Sequence, residues 1–132
     1  MPDPARAISV LTTMLEFFAG GQRWIKDSMF DQDGNRCLIG ARLRVQGQLG
    51  IEGRDASHYL RMAVAPFERL PSDIHLMLFN DRCATYDEIR AAILKARDLA
   101  QAELDGQSDR RRGHARSRRD SALVQIKGEE LR

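Results

Sequence analysis

Cys37, Cys83, His58 and His75 carry the lone pairs that could ligate zinc or attack an electrophile. Cys37 stands just ahead of a helical pattern, where the positive end of a helix favours a thiolate. His58 or His75 could then act as base, with Asp81 orienting it. Structural zinc sites bring closely spaced pairs such as C-x-x-C, and this chain has none, so no metal or other cofactor is expected. Cysteine is also a small side chain commonly found in cores. A buried role for Cys37 is therefore favoured, with nucleophilic catalysis as the alternative.

Two other polar clusters resemble sites at first sight. Asp31-Gln32-Asp33-Gly34-Asn35 has the acidic spacing of a calcium loop, but matching Gly34 to the loop glycine puts Met29 at the first ligand position and Gly40 at the last, where a bidentate glutamate is required. A turn is expected there instead, with Asp-Gly supplying the positive φ. The glycines at 47, 50 and 53 lack the spacing of a phosphate-cradling G-x-G-x-x-G and read as a flexible loop. Asn80-Asp81 reads as loop chemistry, both side chains bonding nearby backbone amides at the entry to the last helix.

Charge is segregated along the chain. Residues 1–106 hold thirteen Lys/Arg against fifteen Asp/Glu, a net −2, whereas residues 107–132 hold eight against four, a net +4. Arg110, Arg111, Arg112, Arg116, Arg118 and Arg119 crowd into ten positions and form the strongest functional signal, because clustered guanidinium groups attract phosphate or carboxylate surfaces. No aromatic residue interleaves among them. The first 19 residues contain neither a signal peptide nor a membrane span, since Glu16 interrupts the apolar run, and two cysteines make no disulfide framework. A cytoplasmic protein with reduced thiols and no membrane contact is expected.

Helical periodicity must position these groups. Asp3-Pro4 is an N-cap followed by a first-turn proline, and Ile8, Leu11, Leu15 and Phe18 share the face that follows, up to Gly20-Gly21. Trp24 comes after the break, and residues 28–37 fit a short hairpin or an irregular loop. Cys37 to Val45 predicts a second helix with Leu38, Ala41 and Val45 inward and Arg42 and Arg44 toward solvent. Gly40-Ala41 in its middle implies close backbone packing. Gln46 to Gly53 reads as a loop. Asp55 can cap a third helix carrying Leu60, Ala63, Val64 and Phe67, with Pro66 ending or kinking it; Ile74 to Phe79 fits a helical turn or a buried strand, and the Ser72-Asp73 start favours the helix. Thr85-Tyr86-Asp87-Glu88 is a capping box, and Ile89, Ile93, Ala96 and Ala100 line the long helix behind it up to Gly106. The expectation is a mainly α, compact bundle of four to five helices over residues 1–106, plus a C-terminal tail, 107–132, disordered unless bound.

Trp24, the segment Gly34-Asn35-Arg36-Cys37-Leu38-Ile39-Gly40-Ala41, and Phe79-Asn80-Asp81 with Thr85 downstream together resemble a family of small bacterial and phage proteins classified only as a domain of unknown function. The likeness spans roughly Ile8 to Ala100 and implies a compact helical fold, with the motif residues structural. It brings no activity, and the basic tail lies outside it. The expected function is a non-enzymatic helical interaction or regulatory module, its tail contacting an acidic protein surface or nucleic acid. The alternative is a small cysteine-dependent enzyme using Cys37.

Overall fold

The computed structural model describes the backbone of residues 1–64 and 73–127, and side chains in the first of these segments and in 73–111. Five α-helices make up the described fold: α1 Pro4–Phe18, α2 Leu38–Leu49, α3 Asp55–Val64, α4 Ile74–Arg82 and α5 Tyr86–Lys127. The chain divides into two units, Met1–Gln101 and Ala102–Arg132. No helix among the described residues is long and apolar enough to cross a membrane.

Local chemistry sets the helix ends. Asp3 Oδ1 accepts from Ala5 N (2.9 Å) and Arg6 N (3.2 Å), and Pro4 opens α1. That helix stops at Phe18 because Ala19 turns left-handed (φ 49°), ahead of a 3-10 turn over Ala19–Gly21. The glycine pair thus follows the stop instead of making it. At the other end of the first unit, Glu88 Oε2 accepts from both Ala84 N and Thr85 N, so the Glu half of the capping box forms.

In the first unit α1 packs on α2 and α3, while α4 packs on α2 and α3. The core is filled by Leu11, Met14, Phe18, Leu38, Tyr59, Leu60 and Leu76, together with Ile89, Ile93, Ala96 and Ala100 from α5. Each large apolar side chain taken fully out of water contributes about 1.5–3 kcal/mol. The inner face expected for α5 is the one observed. For α1 the stripe centres on Ala7, Val10, Leu11, Met14 and Phe18, leaving Ile8 and Leu15 half-buried.

Four expectations are corrected. Arg42 is buried, 5 % exposed, whereas Arg44 is exposed. Helix α2 runs past Gln46 and Gly47 to Leu49, where Gly50 (φ 68°) caps it. Asp55 is the first residue of α3, and its Oδ1 accepts from Asp3 N (2.8 Å). Gly106 does not end α5, which continues through it; a glycine inside a helix costs about 1 kcal/mol against alanine without necessarily terminating it. Pro66, Phe67 and Ser72 lie outside the described residues. Asp73 precedes α4 but makes no capping bond; its carboxylate serves Arg42 and Arg61 instead.

Two glycines of α2 have opposite roles. A Cβ on Gly40 would collide with the carbonyl oxygen of Met29, whereas one on Gly47 would meet nothing within 4 Å. In urea unfolding, Gly40→Ala should lower stability by about 1–3 kcal/mol, and Gly47→Ala should raise it by roughly 0.5–1 kcal/mol through helix propensity and a less flexible unfolded chain.

Candidate functional site

The connection between α1 and α2 carries Trp24 and Gly34 to Cys37, with Leu38 to Ala41 opening α2, and it contains no strand. Of the short hairpin or irregular loop that residues 28–37 fit, the structure forms the loop, with two isolated bridges, Trp24 with Arg36 and Phe30 with Arg36. Arg36 N donates to Arg23 O (2.8 Å), and Ile25 N donates to Arg36 O (3.2 Å). The turn at its tip is closed by Asp31, whose Oδ1 accepts from Asp33 N and Asn35 N (both 2.9 Å) and whose Oδ2 accepts from Asn35 Nδ2 (2.9 Å). The Asn35 carboxamide holds the Asp31 carboxyl below its ordinary range, outweighing its desolvation. Gly34 supplies the left-handed step at φ 84°.

Asn80, in the last turn of α4, organises this connection. Its side chain is fully buried. Oδ1 accepts from Trp24 Nε1 (2.7 Å) and from Leu38 N (3.0 Å), the first amide of α2; Nδ2 donates to Ile25 O (3.1 Å) and Asp81 Oδ1 (3.2 Å). Asp81 Oδ1 also accepts from Asp27 N (2.7 Å), where the backbone is left-handed (φ 64°). The two residues are therefore helical, and their bonds reach more than 40 positions back along the chain; they do not hold the entry to α5 as expected from local loop chemistry. Cys37 caps α2: its N donates to Met29 O (3.1 Å), and its Sγ accepts from Gly40 N (3.4 Å). Trp24 and Phe18 both lie against the Tyr86 ring, and Phe79 packs on the core.

The groups considered for catalysis are placed differently. Cys37 is 3 % exposed, with its sulfur engaged by Gly40. His75 is buried in the first turn of α4, and Asp81 stands six residues further on, about 9 Å along the axis at the rise of an α-helix. His58, on α3, meets Tyr59 edge-on at 5.0 Å. No three of His, Cys, Asp and Glu gather closely enough to hold a metal ion among the described residues. Cys83 is buried too, and its thiol is pushed up to about 11, first by burial and then by the Glu88 carboxylate.

Arg42 forms a second polar centre. Its NH2 meets Asp73 Oδ2 at 3.0 Å and its NH1 meets Gln46 Oε1 at 2.7 Å, while Arg61 NH1 holds the other Asp73 oxygen at 3.3 Å. Gln46 Nε2 in turn donates to Ile51 O and Gly53 O, tying down the turn after α2. An open cleft of about 530 Å³ lies over this network, between Gly47 and Arg54. Of the six tail arginines, Arg110 and Arg111 are exposed on α5; Arg112, Arg116, Arg118 and Arg119 lie outside the described side chains.

No family model, curated protein or solved structure matches the chain. Function must then be argued from these contacts. The residue pattern discloses neither what Asn80 binds nor that Arg42 is buried. The signal for the first was Trp24 itself, since a half-buried indole N–H requires an acceptor.

Asn80→Ala would strand the Trp24 indole N–H, the Leu38 amide and the Ile25 carbonyl, and is expected to cost about 3 kcal/mol in denaturant unfolding. Trp24 fluorescence should report the loosened loop. Cys83 should resist iodoacetamide in the folded protein at pH 8 and react on unfolding. Because its folded pKa is raised, the associated stability is intact below about pH 9 and falls as pH rises toward about 11.

Proposed function

We propose that the protein is a cytoplasmic, non-enzymatic helical interaction or regulatory module. Its arginine-rich segment contacts nucleic acid or an acidic protein surface. The observation that carries this reading is the use made of the motif residues: Asn80, Asp81, Cys37 and Gly40 are engaged with backbone groups, holding the exposed connection between α1 and α2 in place. Cys37, the nucleophile of the enzymatic alternative, is buried with its sulfur accepting from the Gly40 amide. Arg110 and Arg111 stand in solvent at the start of the basic run, available to a polyanion.

The test is binding of the full chain to nucleic acid and to polyglutamate across a salt series, against a variant with Arg110, Arg111, Arg112, Arg116, Arg118 and Arg119 all changed to Gln. The parent should bind at least one of these polyanions with log affinity falling steeply against log salt, by about 0.7–0.9 per phosphate neutralised in the nucleic-acid case. The variant should bind more weakly and with a shallower slope. Identical curves for the two proteins would refute the role of the segment.

A further inference from the structure

The connection anchored by Asn80 presents more than backbone. Phe30, just before the Asp31 turn, is 61 % exposed although the turn beneath it is closed by three side-chain hydrogen bonds. The guanidinium of Arg36 lies over its ring at 5.5 Å, and NH1 of the same group donates to Gly40 O (3.1 Å), so the cation is fixed in that place. A loop this constrained could turn an aromatic side chain inward; here the ring remains in water.

Arg36 and Arg23 are joined by their backbones, and the Arg23 guanidinium reaches to within 3.8 Å of where a Gly34 Cβ would stand. From there it also lies over Phe17, at 5.9 Å from the ring centroid, while Arg44 of α2 approaches the same ring at 5.7 Å. These groups line a cleft of about 330 Å³ with Gln48 and Glu16. Among the described residues neither Arg23 nor Arg44 is in an ion pair, so two guanidiniums converge on one ring with their N–H forks unclaimed by carboxylates. The result is two arginine–aromatic contacts, Arg44–Phe17–Arg23 and Arg36–Phe30, joined through the backbone hydrogen bond from Arg36 to Arg23.

That pairing of cation and ring matches a particular polyanion. An acidic peptide would use the arginines but sets an aromatic ring beside its carboxylates only at occasional residues, whereas every unit of a single strand carries a base for the Phe30 ring and a phosphate for the Arg23 and Arg44 forks. We infer that this surface binds single-stranded nucleic acid, a base stacking on Phe30 and backbone phosphates seated in the cleft at Arg23 and Arg44. The inference rests on the interaction role proposed above and extends it from the arginine-rich segment to the body of the protein. Glu16 lines the same cleft and offsets part of this attraction.

The test is fluorescence anisotropy of a mixed-sequence single strand and its duplex, using the full chain throughout. Phe30→Leu should weaken single-strand binding about tenfold and Phe30→Trp should preserve it, because only the ring stacks. Arg23→Gln with Arg44→Gln should flatten the salt dependence by about 1.4, at 0.7 for each phosphate lost. All altered side chains are at the surface, and circular dichroism should show unchanged melting. Equal affinity of Phe30→Leu and the parent, an unaltered salt slope in the double variant, or no preference for the single strand over the duplex would each overturn this site. Loss of binding only when the tail arginines are changed would also overturn it while leaving the role of the tail intact. Failure of the parent to bind any nucleic acid while still binding polyglutamate would do the same.

Discussion

The connection between α1 and α2 is long, lacks a strand, and yet lies against the core, so its backbone polar groups need partners from elsewhere in the chain. Asn80 and Asp81 provide two of them, for the Ile25 carbonyl and the Asp27 amide. A carboxamide is suited to this because one side chain both accepts and donates, and Asn80 uses the two functions on different segments: its oxygen takes an indole N–H and the first amide of α2, and its nitrogen takes a carbonyl from the connection. With no exposure to solvent, each of these bonds would have to be remade by water that has no access. The last turn of α4, the loop and the start of α2 are consequently one unit.

Other close contacts depend on that placement. Once Leu38 N is held, Cys37 is set at the N-cap, and its own amide is satisfied by Met29 O. The same carbonyl lies where a Gly40 Cβ would project, so the strand-less loop is pressed directly onto the α2 backbone. Arg36 then reaches along this contact to Gly40 O, and Phe30 and Arg23 follow from the same backbone course. Cys37 and Asp81 are both engaged here, the first with the Gly40 amide and the second with the Asp27 amide.

Much of the fold was legible because the signals were local. Asp3-Pro4, the Glu88 half of the capping box and the apolar face of α5 depend on neighbours within a turn or two, and each is found where the residue pattern places it. The closeness implied by Gly40-Ala41 was also readable, since a glycine in a helix interior carries a cost that packing must offset. Arg42 was not legible. Its spacing, four residues after Leu38 and three before Val45, shares their inward face, but a guanidinium reads as solvent-facing, and only Asp73, 31 positions away, and Gln46 make its burial tolerable. Burial still pulls its pKa down, with the Asp73 carboxylate opposing that shift.

The amino-acid sequence by itself determined that the chain is helical, where most of its helices begin, and which faces turn inward, because caps and periodic apolar positions act over a few residues. Tertiary structure decided the partners of Asn80, Asp81 and Arg42, that the connection is a loop with two isolated bridges, and the contacts of Arg44 and Arg23 with Phe17 and of Arg36 with Phe30. A hydrogen bond or ring contact between positions dozens of residues apart leaves no periodic trace in the sequence, since its geometry exists only once the helices have packed.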